Sequence, residues 1–531
     1  MGKVLRTAYA VYPSVKLYQY KTNPTTKKKE MTFKKELLFG DYIKPCIENH
    51  AYKTLTVTKE VTEGKGKNKK VKLVQEEYVR IHCRGVDGYI KEEQMQCERP
   101  LEVNFVDVGQ GDGCHIATPD DQHFIIDAGV HENMFRYLKW RFNLRTAKAA
   151  PPAFTVVISH PDSDHYMGFN SIFSHSVTTE EKKEAKKAAK KSGKKEEELA
   201  QQFEINRIYH NGMVEESKDG IAGLGTKIEY NKRNYITDLC VTQEDYKKRV
   251  ETAVAGNYIK ALQKSNAEKQ MVWKGSDPIY TYNKDGLEMK MEIMAPVGEV
   301  IDGKPALPVI GSDKGKTKNG HSVVIKLTIG HLRLLLGGDL NTESEYLLIK
   351  HYSGKDMEAI KKQLEEGELT DSERQTLEAE LEEAIRKARE ALEVDIAKSC
   401  HHGSADFSSE FLRTLNPIVT VISSGDEEQY AHPRPDTLGT IGKHSRGVRP
   451  MIFSTELARS GKEFLELKNL SAQKKKERVV TVYGMINVRT DGNRAIIAQK
   501  LEQPAKGRGW DIHKLEWNDE KGEFDAILDL E

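Results

Sequence analysis

The chain has 531 residues, a length that suggests about three folding units. Its 82 Lys and Arg balance 81 Asp and Glu, so a net charge of +1 excludes a global attraction to nucleic acid or to an acidic membrane. No apolar run approaches the roughly 18 residues of a membrane span, and the N-terminus lacks the apolar core of a secretory signal. Six cysteines without paired spacing favour reduced thiols. We therefore expect a cytoplasmic protein with no membrane partner.

Residues 1–98 carry short alternating strands and turns, which predict a small all-β barrel. In EYVRIHC, Val79, Ile81 and Cys83 fall on one face of a predicted strand. Gly-Asp before a strand and Gly-Tyr-Ile near the end of this region are similar to a bacterial SH3-like domain. That resemblance implies a module that binds a protein partner. A domain that only packs against the rest of the chain is an equal alternative.

From residue 101 the pattern changes to strands alternating with helices. LEVNFVDVGQGDGCHIAT predicts a strand, a turn and a second strand, and HFIIDAG predicts an apolar strand that ends at Asp127. HENMFRYLKWRF predicts a helix, and FTVVI the next strand. Strands that end in acidic or histidine residues, with helices between them, predict an α/β layered fold with its site at the strand ends.

Two charged segments are predicted to be helical insertions, near 176–270 and 355–392. Within the first, residues 178–202 are nearly all Lys, Glu and Ala, which favours a solvated helix or a partly disordered hairpin. Within the second, TLEAELEEAIRKAREAL has an apolar stripe and i,i+4 charge pairs, so it could form a projecting helical arm. An arm without chemistry is the simpler interpretation, and a clamp for a partner or substrate is the alternative. Residues 501–531 are expected to be a C-terminal tail.

The loop SHPDSDHYMGF follows the apolar run FTVVI directly and holds four possible metal ligands. These are His160, Asp162, Asp164 and His165. Imidazole and carboxylate groups bind divalent cations, and four of them in one loop can serve two ions. A polar turn with hydrogen-bonded histidines is the alternative interpretation. The density of ligand-type residues nevertheless predicts a metal site.

Three later stretches add residues of the same kind. NGHSVVIKLTIGHLRLLLGGDL predicts a β-hairpin with His321 at its start and Asp339 at its end. KSCHHGS places His401 and His402 after a predicted strand, and YAHPRPDT places His432 in a turn between prolines. Adjacent imidazoles point in different directions, so His401 and His402 are not expected to be core residues together.

Six motifs then occur in the order found in the metallo-β-lactamase fold: FVDVGQGDG, FIIDAG, SHPDSDHYMGF, NGHSVV…LLLGGDL, KSCHHGS and AHPRP. They resemble most specifically the soluble hydrolase domain of ComEC-type competence proteins, without the membrane channel of that branch. The resemblance covers residues 99–500 apart from the charged segments. It implies an αββα sandwich and a hydrolase that uses two divalent ions, zinc or manganese, and no serine or cysteine nucleophile.

The resemblance also implies a role for each ligand-type residue of the loop. His160 and Asp162 would hold one ion, and Asp164 and His165 would hold the other. Asp339 would bridge both ions. The commoner family pattern has histidine where Asp162 stands, so this site is richer in oxygen, which favours manganese alongside zinc.

Other positions follow from the same motifs. One of His401 and His402 would complete the second ion site, and Asp127 matches a carboxylate that orients a ligand. The branch often has asparagine where His321 stands, so this histidine is either a further ligand or a residue that only lines the pocket.

The residues expected to act on substrate come from the same motifs. Two ions would lower the pKa of a water and stabilise charge on the attacking and leaving oxygens of a phosphodiester. Asp164 would position that water and accept its proton. His432 would donate a hydrogen bond or a proton to the substrate, unless it is only a structural turn residue. Lys398 and Ser404 are expected to bind substrate.

Three functions are compatible with this pattern. A metal-dependent phosphodiesterase, foremost a nuclease with DNA or RNA as substrate, is the leading hypothesis. A hydrolase of small esters, lactams or phosphocholine esters is the second, and a non-enzymatic scaffold with a relic metal site is the third. A basic surface beside the strand-end loops would favour the nuclease. The candidate residues for that surface are Lys314, Lys316, Lys318, Lys443, Arg446 and Arg449.

Overall fold

The computed structural model describes residues 4–23, 27–63, 70–144, 150–192, 202–311, 313–425, 431–455, 484–501 and 507–528. Over these ranges the protein is a mixed α/β molecule with twelve α-helices, as the alternating pattern predicted. Its strands form one antiparallel N-terminal sheet, two large central sheets and smaller ribbons.

The N-terminal region is an antiparallel sheet, and Val79, Ile81 and Cys83 share its buried face as predicted. Its strand order is β10-β1-β4-β8-β9-β2-β3, with β7 paired to β8 and a separate β5–β6 ribbon. The strands are β1 (Ala8–Ala10), β2 (Ser14–Thr22), β3 (Lys29–Leu38), β4 (Tyr42–Pro45), β5 (Ile47–Glu48), β6 (Ala51–Tyr52), β7 (Thr54–Glu63), β8 (Lys70–Cys83), β9 (Val86–Ile90) and β10 (Met95–Gln96).

The next part of the chain alternates strands with helices. Its strands are β11 (Leu101–Phe105), β12 (Gly113–Ala117), β13 (His123–Ala128), β14 (Ala153–Val157), β15 (Ser176–Val177), β16 (Phe203–His210), β17 (Thr226–Tyr230), β18 (Arg233–Thr237) and β19 (Glu268–Met271). Its helices are α1 (Asn133–Arg141), α2 (Ser163–Tyr166), α3 (Phe169–Phe173), α4 (Thr179–Ser192), α5 (Gln243–Thr252) and α6 (Asn257–Leu262).

The second half of the chain repeats this alternation and ends in four strands. Its strands are β20 (Tyr280–Lys284), β21 (Leu287–Ala295), β22 (Glu299–Ile301), β23 (Lys304–Pro308), β24 (Val324–Ile329), β25 (Leu332–Leu336), β26 (Ile396–Lys398), β27 (Val419–Ile422), β28 (Met451–Ser454), β29 (Ile486–Thr490), β30 (Arg494–Lys500), β31 (Trp510–Asn518) and β32 (Glu523–Ile527). Its helices are α7 (Lys314–Gly320), α8 (Thr342–Ser353), α9 (Met357–Glu366), α10 (Asp371–Leu392), α11 (Ser409–Leu415) and α12 (Pro435–His444).

Two central sheets share one hydrophobic core. The first has the order β15-β16-β14-β13-β12-β11-β29-β30-β31-β32 with β19 on β16, and the second has the order β20-β21-β24-β25-β26-β27-β28. Alternate residues of a strand face opposite sides, so Phe124 and Ile126 of β13 join this shared core with Ile325 and Leu334 of the second sheet. Ile125 instead faces the cluster formed with α1, α3 and α6. On the far side of the second sheet, α8, α9, α10 and α11 form a third cluster.

The predicted boundaries of the insertions and the tail need correction. Strands β16 and β19 pair in the first central sheet, so 176–270 is not simply an insertion. The charged segment 178–202 is helical in α4 as far as Ser192, and residues 193–201 lie outside the described ranges. The expectation of a C-terminal tail is wrong, because β31 pairs with β30 and β32 with β31.

The second charged segment does not project as a free arm. Helix α10 buries Leu381, Ile385 and Leu392 in the cluster that it shares with α8, α9 and α11. Burial of a leucine or isoleucine side chain contributes about 1.5–3 kcal/mol, so this stripe fixes the helix to the second sheet. Its opposite face carries the charged residues that the sequence showed. The segment is therefore part of the outer helical layer.

Candidate metal centre

The ligand-type residues meet because of the strand directions. Strands β13 and β14 are parallel, and so are β25 and β26, so their carboxyl ends lie together at the edges of the two sheets. Asp127 lies near the end of β13, and the SHPDSDH loop follows β14. Asp339 follows β25, and His402 lies in a short 3-10 turn after β26. This arrangement follows the general rule that sites of layered α/β folds lie at strand ends.

Four side chains form a compact cluster at this edge. His165 Nε2 lies 3.1 Å from Asp339 Oδ2, and His402 Nε2 lies 3.0 Å from the same oxygen. Asp164 Oδ2 lies 3.5 Å from His402 Nε2. One ligand atom from each of the four residues lies within 4.8 Å of all the others. The cluster is therefore small enough for one cation to contact all four side chains.

The hydrogen bonds of the two histidines direct their free nitrogen atoms inward. His165 Nδ1 lies 2.8 Å from Asp127 Oδ2, and His402 Nδ1 lies 3.0 Å from the carbonyl oxygen of Ser423. With Nδ1 as the donor, the lone pair of Nε2 faces the cluster in both rings. Neither Nε2 atom, although buried, makes a hydrogen bond of good geometry to any residue in the described ranges. Such a pair fits a metal ion, because metal-binding imidazoles are oriented this way.

The electrostatics of the cluster favour a cation. Burial alone would raise the pKa of Asp339, but the imidazoles of His165 and His402 reverse this and hold it well below its usual value. Burial alone would lower the pKa of His165, but Asp339 and Asp127 raise it well above the ordinary value. The carboxylates thus attract positive charge into a buried space. Two carboxylates and two imidazoles are a donor set that zinc and manganese both accept.

Asp112 was missed by the sequence interpretation and lies directly behind the cluster. Its Oδ1 lies 3.2 Å from His402 Nδ1, and its Oδ2 forms an ion pair with Lys398. The glycine before it is required by packing, because a Cβ on Gly111 would lie 1.8 Å from the carbonyl oxygen of Asp164. In the motif VGQGDG, an aspartate between glycines also fits an ordinary turn. Its place behind the cluster is evident only from its contacts with His402 and Lys398.

The predicted substrate contacts of Lys398 and Ser404 are not supported. The Lys398 ammonium is buried, lies 3.0 Å from the carbonyl oxygen of Gly338 and 3.8 Å from Asp339 Oδ1. It is therefore an internal cation behind the cluster. Ser404 is also buried, and its hydroxyl accepts a hydrogen bond from the backbone of Asp406.

His160 and Asp162 lie beside the cluster. His160 is fully buried, and its Nδ1 lies 3.2 Å from the Ser322 hydroxyl. Its Nε2 lies 3.6 Å from Asp162 Oδ2 and makes no hydrogen bond of good geometry to the described residues. The Asp162 carboxylate forms an ion pair with Lys318. The structure thus places both predicted ligands beside the cluster, but the Asp162 carboxylate is already paired with Lys318.

His321 lies outside the four-residue cluster. Its Nε2 lies 2.6 Å from the carbonyl oxygen of Pro308, and burial lowers its pKa to about 4. Its other nitrogen, Nδ1, is buried without a hydrogen bond to the described residues, and it is not one of the four converging ligand atoms.

The remaining histidines flank the cluster on one side. The His401 ring lies 6.2 Å from that of His402 at an angle of 74°, because both residues have left-handed backbone conformations in the 3-10 turn. His402 therefore joins the four-residue cluster and His401 does not. The His432 ring lies 6.3 Å from His402. Burial, with a smaller effect from His402 and His401, lowers the pKa of His432 to about 4, so its imidazole is neutral at pH 7.

Four of the six residues expected to form a basic rim are paired with carboxylates, among them Lys318. Lys314 Nζ lies 2.6 Å from Glu215, and Lys316 Nζ lies 2.6 Å from Glu343. Arg446 likewise pairs with Asp395. The expected excess of positive charge beside the site is thus largely offset.

No protein-family model matches this chain, and no curated protein matches it either. None of the helices within the described ranges is long and apolar enough to cross a membrane.

Proposed function

We propose that this protein is a metal-dependent hydrolase of the metallo-β-lactamase type, and that it cleaves phosphodiesters, foremost those of DNA or RNA. The carrying observation is the inward orientation of the buried Nε2 atoms of His165 and His402 toward the carboxylates of Asp164 and Asp339. The order of helices, sheet, sheet and helices supports the αββα sandwich expected from the resemblance.

The four residues of the cluster would hold one divalent ion, zinc or manganese. The resemblance implies a second ion at His160 and Asp162, where the side chains fit less well. When bound, such an ion supplies Lewis-acid chemistry: it lowers the pKa of water and stabilises negative charge on oxygen.

The chain's own residues account for the other requirements of hydrolysis. Burial alone would raise the pKa of Asp164, but His165 and His402 hold it well below its ordinary value, so this carboxylate stays ionised and can orient an attacking water. His432 is neutral at pH 7 and half-buried beside His402. A neutral imidazole can donate a hydrogen bond to a substrate oxygen. Together these groups position the nucleophile and the scissile group.

A second candidate is a hydrolase of small esters, lactams or phosphocholine esters. The pairing of Lys314 with Glu215 and of Lys316 with Glu343 favours it, because phosphate contacts in nucleic-acid binding require cationic groups. The SH3-like resemblance of the N-terminal sheet leaves a protein partner as a further proposal.

The adjacent histidines provide a matched test of the metal centre. His402→Ala should lose most of the bound zinc or manganese, and hydrolysis should fall at least about 100-fold because a ligand is removed. His401→Ala should keep the metal, because its ring lies outside the cluster. Metal content is measured by mass spectrometry of the purified proteins, and hydrolysis on oligonucleotides, a nitrophenyl phosphodiester, a lactam and a phosphocholine ester. A folded wild-type protein that binds no divalent ion would contradict the proposal.

A further inference from the structure

The predicted metal centre has two sets of ligands, one for each ion. The two sets differ in how well their ligand atoms converge and in the contacts that these atoms already make. One half has four side chains with ligand atoms that converge within 4.8 Å. The other half has His160, whose Nε2 is directed toward Asp162 at 3.6 Å. His321 is not among the residues whose ligand atoms converge, and one of its two ring nitrogens, Nε2, is engaged with the carbonyl oxygen of Pro308.

The Asp162 carboxylate is engaged at both oxygens. Its Oδ1 forms an ion pair with Lys318, and its Oδ2 lies 2.7 Å from the amide nitrogen of Asn319 when that amide is turned to donate. Both partners belong to helix α7, so one rigid element holds both oxygens. A carboxylate in two such contacts is a weak ligand, because a metal ion must displace an ammonium to reach it.

Lys318 is held firmly in this position. Its side chain is only 12% exposed, and its ammonium lies 3.2 Å from Glu215 Oε2 as well as on Asp162. A second divalent ion beside Asp162 would lie close to this ammonium. A divalent ion and an ammonium at such a short distance repel each other, and the repulsion is strong because the site is largely buried. The lysine and a second ion thus compete for one carboxylate.

We propose that the Lys318 ammonium takes the place of a second metal ion, so that the protein binds one divalent ion tightly, at Asp164, His165, Asp339 and His402. This inference rests on the proposed metal centre and departs from the two-ion arrangement that the family resemblance implies. Asp162 then acts as the partner of Lys318 rather than as a metal ligand.

The test is metal stoichiometry, which needs no substrate. Wild-type protein titrated with manganese should bind one ion tightly and give the six-line electron paramagnetic resonance spectrum of an isolated Mn²⁺. Lys318→Met should free Asp162, so that a second ion binds at least tenfold more tightly than in the wild type and the spectrum becomes that of a coupled pair. Lys316→Met is the matched control: it removes a lysine of the same helix that pairs with Glu343, and one tight ion should remain.

A second variant tests the inference even if Lys318→Met does not fold. Asp162→Asn should leave the single tight ion in place, because its four ligands are untouched. Two equally tight ions in the wild type, or one tight ion in Lys318→Met, would overturn the inference and leave the proposed metal centre standing. Loss of the tight ion in Asp162→Asn would also overturn it. Wild-type protein without any bound ion would overturn the proposed function itself.

Discussion

Asp127 fixes the orientation of His165 from behind the cluster. Its Oδ2 accepts hydrogen bonds from His165 Nδ1 at 2.8 Å and from the Ser159 hydroxyl at 2.6 Å, and its Oδ1 accepts one from the Ser159 backbone at 2.8 Å. The residue has a φ of +56°. This left-handed conformation costs energy for any residue other than glycine. Strain of this kind is typical of residues at functional sites.

Removal of this carboxylate charge should weaken metal binding without removing a ligand. We expect Asp127→Asn to lower the affinity for zinc or manganese about 10- to 100-fold, because the amide holds and polarises the imidazole less well. The affinity is measured by competition with a chromophoric chelator. Asp121→Asn is the control: Asp121 contacts His123 at the start of the same strand, outside the cluster, and its loss should leave metal affinity unchanged. Unchanged affinity in Asp127→Asn would show that His165 is held by other contacts.

The sequence predicted which residues are of ligand type better than it predicted the contacts of their side chains. Asp164, His165, Asp339 and His402 meet as their motifs indicated, because their places at strand ends follow from local patterns. The direction of His321 depends on the carbonyl oxygen of Pro308, which strand β23 brings from elsewhere in the chain. No local pattern records such a contact, and the same holds for the pairing of Asp112 with a lysine 286 residues away.

At the scale of helices and strands, the sequence predicted where helices form better than it predicted how they pack. The spacing of the apolar residues in α10 predicts a buried stripe. It does not indicate which elements pack against that stripe. Strands β31 and β32 were missed because WDIHKLEWN and EFDAI mix charged and apolar residues, as strands with one exposed face do. Leu515 and Phe524 of this hairpin are buried in the core that the two central sheets share.

Helix α8 carries a buried acid that makes stability depend on pH. Glu345 is 1% exposed, and burial raises its pKa to about 8, from an ordinary value of 4.5. In the folded protein the neutral form is therefore favoured, whereas the unfolded chain ionises above about pH 4.5. Stability should fall as pH rises from about 4.5 to 8 and should change no further through this group above pH 8.

Glu345→Gln should remove this dependence, because glutamine stays neutral at every pH. At pH 8 the variant should be more stable than the wild type by a few kcal/mol, since each pKa unit corresponds to about 1.4 kcal/mol. At pH 4.5 the two should be nearly equal. Urea denaturation at pH 4.5, 6 and 8 measures the difference, with Glu343→Gln on the same helix as a control that should show no such trend. An equally steep loss of stability in Glu345→Gln would assign the pH dependence to another group.

On the scale of the whole molecule, the N-terminal sheet and the region of the two central sheets share a buried contact. Arg489 of β29 is 1% exposed and donates hydrogen bonds of 2.8 Å to Asp41 Oδ1 and to the carbonyl oxygen of Phe39. Phe39 also packs in a hydrophobic cluster with Ile496 and Trp510. The predicted boundary at residue 98 therefore separates two regions that bury side chains against each other. The sequence did not indicate this contact, because Arg489 belongs to no recognisable motif and the Gly-Asp turn that contains Asp41 predicts a strand, not a partner for its carboxylate.

This contact should couple the unfolding of the two regions. Asp41→Ala leaves the buried Arg489 guanidinium with only the more distant Glu102 carboxylate, at 3.7 Å, and loss of one partner of a buried pair costs up to about 3–5 kcal/mol. Asp87→Ala is the matched control: it removes an exposed ion pair with Arg80 in the same N-terminal sheet, and stability should change little. Differential scanning calorimetry should show one transition for the wild type and a lower or split transition for Asp41→Ala. If Asp41→Ala unfolds at the same temperature as Asp87→Ala, the two regions are energetically independent, and residue 98 is a true domain boundary.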